Sequence, residues 1–418
     1  MTTSNATIEP DQVGKVSRAR DALHRHAVSR RSTLVVALVA VVLGAGCTGG
    51  GESDAVRETD YSGCRTSVRG AAFAHEIAAA RPLVLRMKRG FGAPGLAIAV
   101  AVAGQVIWSE VCGYADLKNH VPVTRTTAFR IGSVSKALTA AAAARLVQQG
   151  RLDLDAPIER YVPSFPTKRY RVTTRALLAH TAGIRHYQGS EALSASHYAS
   201  VTDALRVFAA DPLLFKPGTQ HSYSSYGFNL VGAAIETISH RPYGDAIGRL
   251  VLTPLGMKHI AIDDDRTHQG WAALYEVTGL RRAVVAPTVD LSNRLPSGGF
   301  GSNAEDLARF GSRLGDETFL SLRTQQTFFS EQHLADGSGT GYGLGFEVGE
   351  TPFGPVVGHT GNVVGGTAFL LVSPTSGVAI AMTTNIGYVT AATPPDLSSV
   401  PDPPTLFIPF VKRATEAG

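Results

Sequence analysis

The sequence predicts an α/β (α+β) fold in which one sheet domain is interrupted by a mostly helical lobe. Three observations carry this. Strand-like runs such as LAIAVAVAG and TAFLLVSP cluster towards the two ends of the chain. The stretch from about 156 to 295 is instead helical in character, broken by loops rich in Pro, Gly and Tyr. With 418 residues and 44% of them hydrophobic, the chain can also enclose a proper core, so first and last thirds that pair into one sheet around an inserted lobe are a stable arrangement.

The chain opens with a leader. Arg30 and Arg31 precede LVVALVAVVLGAG, an uncharged run from Leu34 to Gly46, short of the roughly 20 residues that span a bilayer but suited to a signal-peptide core. Residues 1–46 therefore read as a signal peptide. LGAGC resembles a bacterial lipoprotein signal, in which Cys47 is the lipidated first residue of the mature chain; cleavage at a small residue with Cys47 incidental is the competing reading. The polar, Gly-rich segment 47–64 reads as a flexible tether. The expected place is the outer face of a bacterial cytoplasmic membrane, with secretion as the alternative. Ser29-Arg30-Arg31 partly matches a twin-arginine signal, although Thr33 stands where that pattern wants Phe, so both export routes stay open. Without residues 1–46 the formal charge falls from +5 to +2, which leaves no cationic block to suggest a nucleic-acid partner. Cys64 and Cys112 then remain as an even pair, and a disulfide or two buried thiols fit the sequence equally.

The sheet domain is expected over 65–155 and 296–418, and the helical lobe over 156–295. Apolar spacing predicts a helix from Val68 to Arg89, ended by Gly90-Phe91-Gly92-Ala93-Pro94-Gly95. LAIAVAVAG and QVIWSEVCGYAD follow as strands. FRIGSVSKALTAAAAARLV then places Ser133 and Lys136 at the start of an alanine-rich helix. In the lobe, VTTRALLAH, VTDALRVFAA and FNLVGAAIETISH are helical, and PFGPVVGHTG, TAFLLVSP and SGVAIAMTTNIG return to strands. Six prolines between 394 and 409 make the C-terminal AATPPDLSSVPDPPTLFIPF read as an extended excursion.

Several chemistries lack a signature. There is no G-x-S-x-G elbow and no G-x-x-x-x-G-K-[ST] loop, and His75-Glu76 meets Ala79 where H-E-x-x-H needs its second histidine. No metal or cofactor is called for. Ser133 and Lys136 offer more: on a helix beginning near Ser133 the two side chains share a face, with Cβ atoms roughly 5–6 Å apart. The helix N-terminus favours an alkoxide over an adjacent ammonium, and burial would likewise supply a neutral amine as base. Ser135 faces elsewhere. Composition alone supplies about half an S-x-x-K per chain of this kind, so a serine cap followed by a solvated lysine is the better reading of the motif until companions appear.

They appear in order. Tyr223-Ser224-Ser225 lies in KPGTQHSYSSYGFNLVG, and His359-Thr360-Gly361 lies in VVGHTGNVVGGTAF. With SVSK these resemble the three motifs of the serine β-lactamase and penicillin-recognising enzyme family, in its class C and DD-peptidase branch. The resemblance runs from about Phe91 to Gly387 through RLDLDAPIERYVPSFP, ALLAHTAGIRHY, PSGGFGSNAEDLARF and YGLGFEV, and ALLAHTAGIRHY is very similar to its counterpart in the mitochondrial serine β-lactamase-like branch. It implies an antiparallel sheet flanked by helices. It also implies that Ser133 is the acylated nucleophile, Lys136 its base and Tyr223 a proton relay to the leaving group. The backbone amides of Ser133 and Asn362 would form the oxyanion hole, and Ser225, His359, Thr360 and Gly361 would contact substrate.

Two departures bear on substrate. Ser225 replaces a common Asn and cannot make an amide's paired contacts; His359 replaces a common Lys and, with a reference pKa of about 6.5, holds a carboxylate weakly at neutral pH. Slow turnover of anionic β-lactams is expected. The sequence thus points to an exported, membrane-tethered serine hydrolase acting on a peptide, amide or ester. The competing readings are a catalytically silent scaffold of the same fold that binds cell-wall peptide or a protein partner, and a secreted solute-binding protein.

Overall fold

The computed structural model describes residues 63–263, 270–277, 283–389 and 400–417. The expected signal peptide, Cys47 and nearly all of the expected tether lie outside the described residues, as do positions 394–399 of the Pro-rich segment. Among the described residues no helix is long and apolar enough to cross a membrane.

The main sheet is built from both ends of the chain. Its long strands are β1 (Cys64–Val68), β2 (Gly95–Val102), β3 (Gln105–Asp116), β4 (Glu347–Thr351), β5 (Gly354–Val363), β6 (Gly366–Ser373) and β7 (Val378–Thr384). They run in the order β1-β3-β2-β7-β6-β5-β4, antiparallel throughout, with the short strand Val121–Pro122 attached to β3. The junction is the β2–β7 pair, in which Leu96 to Val102 face Thr384 to Val378.

Period-two alternation divides the two faces. Leu96, Ile98 and Val100 pack with Ile380 and Met382 against α1 (Ala74–Phe91) and α5 (Pro403–Ala417). Ala97, Ala99 and Ala101 point the other way, with Ala379 and Ala381, towards α2 (Ser135–Gln148) and α4 (Ala304–Ser312). Small residues on that face let α4 sit close to the sheet: a Cβ added at Gly311 would lie 2.8 Å from the Ala379 Cβ.

Three expectations are corrected or completed. Val68 is not helical; it closes β1, paired with Trp108, and α1 starts at Ala74 and ends on the left-handed Gly92. Residues 403–409 are not extended but belong to α5. Pro403 and Pro404 sit in its first turn, where no intrahelical N–H is needed, and the burial of Leu406, Phe407, Phe410 and Val411 outweighs the hydrogen bond lost at Pro409. Phe410 stacks on Trp108 with ring centroids 6.0 Å apart. Finally, Cys64 and Cys112 face each other in register, Cα atoms 4.1 Å apart, and form a disulfide that staples edge strand β1 to β3.

The lobe is helical where expected, with α3 (Ser225–Ser239) and the short helices Thr174–Leu178 and Val201–Ala204. It also contains the small strands Ile260–Ile262 and Tyr275–Val277, too short for any periodic signal. Ile260–Ile262 pairs with Phe300–Ser302, which pairs in turn with Phe129–Arg130 just ahead of Ser133, so lobe and sheet domain meet at that serine.

Candidate active site

Ser133 stands on a tight turn, Gly132–Val134, that feeds directly into α2. The turn is held from below by Arg130, whose buried guanidinium pairs with Asp263 and donates to the Val364 carbonyl at 3.0 Å. Gly132 takes φ +50°, a left-handed conformation that favours glycine, and an added Cβ there would lie 3.0 Å from the Asn362 amide nitrogen. Opposite it, a Cβ on Gly361 would lie 2.1 Å from the Ile131 carbonyl oxygen and 3.1 Å from the Ser133 nitrogen. The two glycines bring strand β5 against the turn that carries Ser133, and the backbone amides of Ser133 and Asn362 come close together for that reason.

Lys136 lies one turn on, as the spacing predicts. Its Nζ is 3.0 Å from Ser133 Oγ, 3.3 Å from Ser225 Oγ and 2.9 Å from the Ser297 carbonyl oxygen. The side chain is fully buried, and burial holds its pKa well below the ordinary lysine value, opposed in part by Glu347. A neutral amine has two N–H donors and one lone pair, so Ser297 and Ser225 can take the donors and leave the lone pair facing the Ser133 hydroxyl. Tyr223 donates its hydroxyl to Ser133 Oγ at 2.8 Å from the other side. Ser135 is excluded as a rival: it is sealed, and its Oγ accepts the Phe300 N–H at 3.3 Å.

Two histidines that sequence reasoning did not single out hold the tyrosine loop. His180 Nδ1 accepts the N–H of Ser224 at 3.1 Å, and His186 Nδ1 accepts the N–H of Ser225 at 3.2 Å. Their rings flank Tyr223, with centroids 4.3 and 5.7 Å from its own. His180 does this from φ +58°, in a nearly sealed position where burial keeps its pKa well below the ordinary value. The bond from Ser224 fixes its tautomer, with the proton on Nε2. The available signal was the segment ALLAHTAGIRHY, which contains both histidines.

The residues expected to touch substrate divide by burial. Ser225 and His359 are sealed, at 3% and 1% exposure, so neither forms part of the accessible surface. Ser225 is a contact of Lys136. His359 Nδ1 lies 2.5 Å from the Thr360 carbonyl, to which it donates, and burial with the nearby Lys136 pushes its pKa down to about 3. Ser133, Tyr223 and Thr360 remain partly open. A fourth partly open group was not anticipated: Glu347 on β4, whose Oε1 accepts the Thr360 hydroxyl at 3.3 Å. Burial raises its pKa to about 7, against the lowering effect of its Thr360 hydrogen bonds and of Lys136.

The arrangement sets a hydroxyl between a buried amine of lowered pKa and a phenol, beside two backbone donors, a geometry suited to acyl transfer. Comparison with known proteins bears on the family. The family profile described as Beta-lactamase matches residues 85–397. The mitochondrial serine β-lactamase-like protein of Homo sapiens is 31% identical over 311 residues, covering 58% of this chain and 57% of that protein. The chain therefore spans little more than half the length of that relative. Protein flp of Staphylococcus aureus is 27% identical over 301 residues, covering 70% of this chain and 60% of that one. Among solved structures, the octameric penicillin-binding protein homologue from Pyrococcus abyssi has a TM-score of 0.64 at 25% identity, covering 74% of this chain and 73% of its own. SurE has a TM-score of 0.64 at 26% identity, covering 83% and 77%.

Proposed function

The chain belongs to the β-lactamase family of serine hydrolases, and from that premise we propose that it forms an acyl-enzyme on Ser133 and hydrolyses a peptide, amide or ester. The observation that carries the reading is the double contact at Ser133 Oγ, 3.0 Å from Lys136 Nζ and 2.8 Å from Tyr223 Oη. In the first step the Ser133 proton passes to the neutral Lys136 amine while Oγ attacks the acyl carbonyl carbon. The carbonyl oxygen, now an anion, is met by the amides of Ser133 and Asn362. As the bond to the leaving group breaks, Tyr223 gives that group a proton and recovers one from Lys136. A water then attacks the ester carbonyl, losing its proton through the same pair, and Ser133 is regenerated.

The acyl donor is an amino-acid or peptide derivative on this reading. In support, a related crystal structure, that of SurE with D-Leu, is 28% identical with a TM-score of 0.59 and covers 74% of this chain. Anionic β-lactams are poor substrates, because the accessible wall offers Thr360 and Glu347 rather than a cation. The leader, with its uncharged run and Cys47, supports export and lipid tethering at the outer face of a membrane.

The test is intact-protein mass spectrometry of the folded chain with a fluorophosphonate and with a penicillin, beside Ser133→Ala. Labelling that disappears in the variant supports the reading. A folded wild type that takes up neither reagent would sink it and favour the silent scaffold.

A further inference from the structure

We infer that Glu347 is the specificity-determining carboxylate of this site and selects acyl donors that carry an ammonium group. The inference deepens the serine-hydrolase reading and rests on it.

Glu347 stands at the start of β4, directly opposite Gly358 of β5, so the strand that carries His359 and Thr360 also positions its carboxylate. The register sets it against Thr360 rather than on an outer edge, and its Oε1 accepts the Thr360 hydroxyl. Its side chain is 23% exposed, whereas Lys136, Ser225 and His359 are sealed. The polar groups that a bound acyl donor meets on this wall are therefore a hydroxyl and a carboxylate.

That carboxylate is uncompensated. Oε1 takes the Thr360 hydroxyl, and Oε2 has no hydrogen-bond partner. Among the described residues its one ion-pair contact is His359 Nδ1 at 3.9 Å, and that nitrogen spends its proton on the Thr360 carbonyl. His359 is neutral at physiological pH, and Lys136 is engaged by Ser133, Ser225 and Ser297. A half-buried carboxylate with no cation costs stability unless it takes up a proton, as its pKa of about 7 allows, or a ligand supplies the countercharge. An ammonium fits both requirements, since it brings a positive charge and N–H donors to a partly open carboxylate whose Oε2 is itself buried and unpartnered. A substrate carboxylate at the same place meets like charge.

The experiment compares alanine p-nitroanilide with its N-acetyl counterpart, in both configurations, at pH 7, where the free amine is largely protonated. The readout is the ratio of kcat/KM for the two compounds within each protein, so that any loss common to both cancels. The wild type should prefer the free amine by about fivefold or more, and E347Q should bring the ratio close to one. A wild type without the preference, or E347Q that keeps it, overturns the assignment. Where neither compound is turned over, calorimetric binding of alaninamide and N-acetylalaninamide to Ser133→Ala and to Ser133→Ala/Glu347→Gln decides by the same ratio. Labelling of Ser133 in the wild type separately reports whether the hydrolase reading holds.

Discussion

Gly361→Ala is the sharpest test of how the site is assembled. Gly361 does not occupy a left-handed conformation, so alanine adds no backbone strain there and, through the unfolded chain, would by itself stabilise by about 0.4–1 kcal/mol. The added methyl carbon meets backbone instead: it would sit 2.1 Å from the Ile131 carbonyl oxygen, where 3.0 Å is the closest approach such atoms tolerate. Strand β5 and the nucleophile turn must therefore part by about 1 Å, a displacement that costs roughly a hundredfold in a positioned reaction. The separation falls between the Ser133 and Asn362 amides and so acts on the oxyanion site. The assay is the second-order rate of fluorophosphonate labelling at Ser133, followed by intact mass, with urea unfolding to confirm that the variant folds. Gly349→Ala on β4 is the control. Its added carbon lies 3.5 Å from Val356 Cγ2, an ordinary contact, and its labelling rate should match the wild type. A folded Gly361→Ala that labels within about threefold of wild type would refute the account of β5 as the wall that completes the site.

Three further outcomes follow from the same structure. Lys136→Met should lower Ser133 labelling by about 10²–10⁴-fold, and wild-type labelling should rise with pH as the buried amine loses its proton. Because the native lysine releases its proton below the pH at which the unfolded one does, the unfolded state binds more protons in between, and wild-type stability relative to Lys136→Met should improve from pH 7 to pH 9; a flat difference in urea unfolding would contradict the lowered pKa. His180→Ala leaves the buried Ser224 N–H without its acceptor, at a cost of about 1–3 kcal/mol, and should slow labelling by loosening Tyr223, whereas His180→Asn, which tolerates positive φ and keeps an acceptor, should recover part of the rate. Wild-type labelling rates in His180→Ala would count against the clamp. Cys112→Ser should lower unfolding free energy by about 2–4 kcal/mol, and treatment of the wild type with reductant should reproduce the loss.

Local pattern was enough to bring Ser133 and Lys136 together and to outline the fold. Ser133 and Lys136 are three residues apart on one helical turn, so their contact is dictated by helix geometry, and the strand runs at both ends announce themselves by a period of two. The family resemblance joined Tyr223 and Thr360 to that pair in the right order, which no local signal could do. What remained hidden depends on which distant segments lie side by side. Glu347 belongs to the site because β4 pairs with β5 in a register that brings it to Thr360, and a slip of one residue would send it to the other face. His180 and His186 hold the Tyr223 loop across some forty residues of chain, through ring nitrogens whose partners are backbone amides and leave no mark on the sequence. His359 and Ser225, expected from the motif to contact substrate, are buried in the fold, which no local signal carries. The C-terminal helix forms against the prolines in it because Leu406, Phe407 and Phe410 find the apolar face of the sheet. In each case the deciding energy is the removal of a side chain from water by a neighbour far away in sequence, and only the folded chain specifies that neighbour.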